Sequence, residues 1–149
     1  MTTGPFHRVL VGWDASPAAR AALTTALALA AGGGTVIARA VLLPPEHTET
    51  SGEDRRDVSV RRERLAEQFA ATMRTAGEQG ARVRLEWGED ADVPGDLAAG
   101  AAGHGCDLIV VGRHGSDGRL RVAGLGPVAR ALARYEGLPV LLVGGPPQE

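Results

Sequence analysis

Short aliphatic runs alternate with longer segments of helical periodicity along most of this chain, and few folds accept that pattern. A strand, a helix and a second strand in succession place the two strands parallel in one sheet, joined by a right-handed crossover. Five runs have the length and the Val, Ile and Leu content of strands: HRVLVGW (7–13), TVIARAVLL (35–43), ARVRLEW (81–87), DLIVVG (107–112) and PVLLV (139–143). The fourth is apolar without interruption through Leu108, Ile109, Val110 and Val111, as a central strand covered on both faces requires.

The intervening segments are punctuated as helices. SPAARAALTTALALAAGGG opens on Ser16 as an N-cap, places Pro17 at the first helical position and stops in glycines. From Arg55 to Glu78, the residues Val58, Leu65, Phe69, Met73 and Ala76 are separated by seven, four, four and three positions, which is one apolar stripe on an otherwise charged, solvated helix. A third helix is expected over Asp92–His104, and a fourth over Pro127–Tyr135 with Val128, Leu132 and Tyr135 on one side. LPPEHTETSGED is the one long polar loop, in which Pro44 and Pro45 end the second strand; it reads as a connector, with a lid over the ligand as the other reading.

Five strands joined this way predict a single-domain, doubly wound five-stranded parallel sheet of order 3-2-1-4-5 with helices on both faces. A length of 149 residues suits one domain, residues 1–149, since single cores commonly run to about 100–150 residues. With aromatic residues at 3%, that core must be aliphatic and closely spaced. In such sheets ligands bind where the chain reverses direction, here between strands one and four. The crevice is therefore expected where Gly12-Trp13-Asp14-Ala15 faces Gly112-Arg113-His114-Gly115.

Charge and cysteine content narrow the partners. A formal net charge of -2 provides no general attraction to nucleic acid or to anionic membranes, so neither is an expected partner. The N-terminus does not read as a secretion signal and no run reaches membrane-spanning length, which predicts a soluble, cytoplasmic protein. The single Cys106 precedes an apolar run and reads as a buried, reduced thiol.

No G-x-x-x-x-G-K-[ST] and no post-strand G-x-G-x-x-G is present, so the common P-loop and dinucleotide motifs are absent. Instead, Gly112-x-x-Gly115 follows a strand and lets backbone N–H groups approach an anion. Strand-Asp-x-Ser lies upstream of it and Gly126 downstream, at the start of a helix whose first amides also suit an anion. Metal-ligand spacing is missing around Glu86, Glu89, Asp90 and Asp92, which read as a polar turn. Ser116 beside His114 is not a triad, and no nucleophile–base pair is apparent.

RVLVGWDASPAARAALTTALALA, ARAVLLPP, GCDLIVVGRHG and GPVARALARYEGLPVLLVGG, in that order, resemble the universal stress protein family over nearly the whole chain. The resemblance implies an adenine nucleotide alpha hydrolase-like fold that, in one branch of the family, holds ATP, with Mg2+ as the accompanying ion. It implies that Asp14 faces the adenosine and that the backbone of Val41 reads the adenine. Gly112, His114 and Gly115 would line the phosphates from one side and Gly126, Pro127 and Val128 from the other, with Gly12, Ala15 and Val111 as walls. It also implies a homodimer through the edge strand at 139–143.

The chain departs from the family's ATP pattern twice. Ten residues, SDGRLRVAGL, separate Gly115 from Gly126, one more than the pattern has, and Pro127 stands where it has Ser or Thr. Arg113 beside the loop is a candidate phosphate ligand, with Arg119 and Arg121 as solvated charges. Trp13 reads as a crevice wall or core residue, with stacking on a base as the other reading. The expected function is thus a regulatory module binding an adenine nucleotide, foremost ATP. The alternatives are a dimer that binds cyclic nucleotide or no ATP, and a weak ATPase or nucleotidyl transferase.

Overall fold

The structure is a computed structural model that describes residues 5–42, 52–77, 81–114 and 125–144. Its elements, in chain order, are β1 (Arg8–Gly12), α1 (Pro17–Leu29), β2 (Thr35–Val41), α2 (Gly52–Ala76), β3 (Arg82–Gly88), α3 (Val93–Gly103), β4 (Leu108–Gly112), α4 (Pro127–Leu132) and β5 (Val140–Val143). The sheet has the order β3-β2-β1-β4-β5, and every pairing is parallel. Val9 lies opposite Val36 on one side and Leu108 on the other, so β1 is the central strand and the reversal falls between it and β4.

Successive strand residues face opposite sides, and each side has its own core. Val9, Val11, Val36, Ala38 and Val110 pack with Leu23, Ala26 and Leu27 of α1 and with Leu65, Phe69, Met73 and Ala76 of α2. Leu10, Ile37, Ile109 and Val111 pack on the other side with Leu97, Ala101 and Leu132. Alanine is what lets α1 approach so closely: Ala18, Ala22 and Ala26 are all fully buried.

The helix starts follow the expected chemistry. Ser16 is extended at φ -69, ψ 159, and its Oγ accepts the Ala19 amide at 3.1 Å, with Pro17 in the first turn. Asp92 does the same for α3, accepting from the Gly95 amide at 3.1 Å.

Several boundaries differ from the sequence reading. β2 ends at Val41, although the Leu42 amide still donates to the Gly88 carbonyl at 2.8 Å. α2 begins at Gly52, inside the expected loop, whose residues 43–51 lie outside the described residues, Pro44 and Pro45 among them. Val58 is half-buried but joins neither core, so the α2 stripe starts at Leu65. α4 stops at Leu132, because the Arg134 and Tyr135 amides turn back to Ala131 and Leu132 in i→i−3 bonds. Tyr135 still reaches the second core from beyond the helix end.

Candidate functional site

The carboxyl ends of β1 and β4 open into a crevice of about 340 Å³, within the range of small-molecule sites. Its floor depends on two missing side chains. A Cβ on Gly12 would meet Val111 Cγ1 at 3.0 Å and Leu97 Cδ1 at 3.2 Å. A Cβ on Gly112 would meet Ala18 Cβ at 2.7 Å and the Ala18 carbonyl carbon at 3.0 Å, so this glycine is required for α1 to pack on β4, whatever else it does.

After β1 the backbone turns sharply into α1. Ala15 holds a left-handed φ of 63, and the Asp14 carboxylate accepts the Ser16 amide at 2.9 Å, which closes the turn. The Arg20 guanidinium donates to the Ala15 carbonyl at 2.9 Å and holds the turn from the helix side. Asp14 is exposed and borders the crevice, whereas Ala15 does not line it. The expected site residues Gly12, Asp14, Val41, Val111, Gly112, His114, Gly126, Pro127 and Val128 are brought together around this one space. Gly115, Gly118, Arg119, Arg121 and Gly124, and with them Ser116, lie outside the described residues.

Arg113 is directed elsewhere. Its amide donates to the Val143 carbonyl at 2.8 Å, its carbonyl accepts the Gly126 amide at 2.7 Å, and its Cδ lies 3.7 Å from where a Gly144 Cβ would stand. The residue thus ties β4 to β5 and α4, and its side chain does not line the crevice. The bond from Gly126 also uses the amide that would otherwise face an anion. At α4, Gly126 offers no side-chain cap and Pro127 has no N–H, while intrahelical bonding begins with the Arg130 amide on the Gly126 carbonyl at 2.9 Å. The first-turn amides of Val128 and Ala129 are therefore the donors that α4 presents.

Other residues on the crevice were not singled out by the sequence reading. Arg61 of α2 reaches its edge from a helix read as a solvated face. Arg39 of β2 lies beneath it, bonded through Nε to Asp96 and through Nη1 to Glu86. The hydrogen bond to Asp96 raises the Arg39 pKa, burial works against it, and the bond to Glu86 raises it again. This cation is compensated within the fold. Gly100 makes room for it, since a Cβ there would meet Arg39 Cδ at 2.9 Å.

Trp13 is 3% exposed. Its indole Nε1 donates to the Leu65 carbonyl at 3.0 Å, and its ring meets Phe69 edge-on at 5.9 Å between centroids. It is a core residue that also borders the crevice, and its face is taken by α2. Nor do the acidic residues read as a polar turn all lie in one, since Glu86 lies within β3. Glu86 accepts from Arg39 and pairs with His104 Nε2 at 2.7 Å, a partner 18 positions away that spacing within the segment does not reveal.

Among the described residues, no group of three or more His, Cys, Asp or Glu is placed to hold a metal ion, and no helix is long and apolar enough to cross a membrane. Cys106 is 6% exposed, and burial pushes its thiol up to about 11, so it is protonated at neutral pH and a poor nucleophile.

The model of the universal stress protein family matches residues 5–144. Among solved structures, the chain is similar to the universal stress protein UspA from Lactobacillus plantarum, with 20% identity, a TM-score of 0.66, and 92% of this chain and 97% of that one covered. It is also similar to a universal stress protein in complex with cAMP, at 24% identity and a TM-score of 0.65, covering 95% and 99% of the two chains. A third is a universal stress protein family protein from Arabidopsis thaliana with AMP bound, at 19% identity and a TM-score of 0.58, with 94% and 92% covered. No match was found among curated protein sequences.

Proposed function

The chain belongs to the universal stress protein family, and we propose that it is a regulatory module that binds an adenine nucleotide in the crevice between β1 and β4. The observation that carries this reading is the crevice itself. It lies at the reversal point of the sheet, has apolar walls in Val41, Val93, Leu97, Val111 and Val128, and has polar groups at its rim in Asp14, His114 and Arg61. Relatives of the same fold hold cAMP and AMP, which supports adenine as the base.

In this reading, adenine lies against the Val41 side, Asp14 faces the ribose, and the phosphates lie between Gly112–His114 and the Val128 and Ala129 amides. ATP, accompanied by Mg2+, is the first candidate, with Arg61 as a cation on its phosphates. A second reading, AMP or cyclic AMP, is favoured by α4: the Gly126 amide is bonded to Arg113 and Pro127 has no donor, which suits a shorter phosphate chain. Regulation is proposed over turnover because the one hydroxyl that lines the crevice among the described residues, that of Ser16, is buried and caps α1 by accepting the Ala19 amide.

Calorimetric titration with ATP, AMP and cyclic AMP tests the proposal. At least one should bind with a Kd below about 1 mM. His114→Glu, which puts a carboxylate beside the phosphates, should weaken it about tenfold or more. Heats at the level of dilution for all three ligands would overturn the reading, and their order of affinity separates ATP from the monophosphates.

The proposal extends to a homodimer through residues 139–143. Among the described residues β5 is an edge strand beside β4, and Leu141 on it is an exposed large apolar side chain at 36%. Sedimentation should give twice the 15.4 kDa chain mass, and Leu141→Lys should shift the population towards monomer. A wild-type protein that sediments as a monomer at high concentration would remove the dimer from the proposal.

A further inference from the structure

At the opposite end of the strands, away from the crevice, the same sheet gathers positive charge. Arg8, Thr35 and Arg82 are register partners on β1, β2 and β3, and Ile37 and Arg84 are partners two residues further on, so all five side chains share one face. α3 packs on β1, β2 and β4, and the edge residues Arg82 and Arg84 are left exposed. With His104, the C-cap of α3, these residues line a cavity of about 270 Å³.

Two of the three guanidiniums are held in place by His104. Arg8 Nη1 donates to the His104 carbonyl at 2.8 Å, and Arg84 Nη2 lies 3.1 Å from His104 Nδ1. A guanidinium can only donate, so in this contact Nδ1 accepts, and Nε2 faces Glu86 Oε1 at 2.7 Å. Each anchored guanidinium spends one of its five donors in this way. The Arg82 guanidinium has no hydrogen bond or ion pair among the described residues, its backbone amide donating to the Gly34 carbonyl at 2.8 Å.

The described carboxylates nearby have partners of their own. Glu86 is bonded to His104 and Arg39, and Asp107 accepts the amides of His7 at 2.9 Å and Arg8 at 3.0 Å. No described carboxylate lines the cavity. Three arginines thus face one space that no described carboxylate lines, with Glu86 and Asp107 set back from it, and two of them have already given up rotamer freedom.

We propose that the cavity bounded by Arg8, Arg82, Arg84 and His104 is a second anion site, one that takes the phosphoryl group of a small phosphomonoester. Planar guanidiniums bind phosphoryl oxygens in bidentate fashion, and the Thr35 hydroxyl adds a neutral donor. The cavity is larger than a phosphate ion and leaves room for the esterified group. The site is separate from the crevice and does not depend on nucleotide binding there.

The test is an amide NMR titration of the full chain with inorganic phosphate and with glycerol phosphate, at an ionic strength fixed with sodium chloride. The Thr35, Arg82, Arg84 and His104 signals should shift and saturate, with a Kd below about 10 mM. Crevice occupancy would instead move Gly112, His114 and Val128, so the two sites report separately. Arg82→Glu, at an exposed side chain, should weaken the first set of shifts about tenfold or more, and Arg82→Lys should weaken them less. Unchanged signals elsewhere verify that both variants are folded. Tighter binding of the ester supports the proposal as stated, and equal affinities reassign the site to free phosphate. Shifts that grow linearly without saturating, or that persist in Arg82→Glu, would overturn it.

Discussion

Replacing Trp13 with alanine is expected to destabilise the fold by about 3–5 kcal/mol, the usual cost of deleting a buried aromatic side chain. Three separate losses contribute. The ring is 3% exposed, so its truncation leaves a cavity between β1 and α2. The Nε1 bond to the Leu65 carbonyl disappears, and so does the edge-on contact with Phe69 at 5.9 Å. Among the described residues, α2 is otherwise held by its inward stripe from Leu65 to Ala76 and by Arg62, which lies over the Trp87 ring at 4.8 Å. A loss of this size is a large fraction of the roughly 5–15 kcal/mol that a domain has in total. Urea unfolding followed by circular dichroism measures it. Trp13→Phe, which keeps most of the ring but not the donor, should cost markedly less. A Trp13→Ala midpoint within error of the parent would show that α2 docks by other means.

The second large effect is a gain. Pro127→Ser restores a backbone N–H at the first position of α4 and adds a hydroxyl next to it, where the family pattern has Ser or Thr. A hydrogen bond to a charged group contributes about 1.5–3 kcal/mol, so ATP affinity should rise roughly 10- to 100-fold. Stability should move the other way by about 0.4–1 kcal/mol, because proline restrains the unfolded chain and already suits the helix start. Calorimetry and thermal melting of the same variant therefore report opposite signs. If ATP affinity is unchanged, the phosphates do not reach α4. Should AMP and ATP gain equally, the contact is with the first phosphate rather than the chain beyond it.

The sheet order was legible because it depends on local facts. Strand length, the N-cap at Ser16 and the uninterrupted Leu108–Val111 run each follow from neighbouring residues, and parallel topology follows from their alternation. Element ends were less legible. α4 stops at Leu132 although Tyr135 continues its apolar spacing, because the chain must turn in time for Val140 to meet Ile109. Apolar periodicity records which residues face the core, and Tyr135 does so from outside the helix.

The side-chain partners were not legible at all, for a related reason. Arg39, Glu86, Asp96 and His104 come from three elements and have no spacing in common, yet Glu86 pairs with both Arg39 and His104, and Asp96 with Arg39. Arg61 had no distinguishing mark within a charged helix, and Arg113 seemed suited to an anion because its neighbours in sequence did. From sequence alone the chain can be assigned its family, its strand order and the end of the sheet where a crevice forms, since these arise from patterns repeated along the backbone. Only the tertiary structure decided that Trp13 belongs to the core, that Gly112 is needed by α1, that the Gly126 amide is already bonded, and that three arginines share a cavity at the far end. Those facts depend on where side chains from distant segments meet, and contact and charge act through space rather than along the chain.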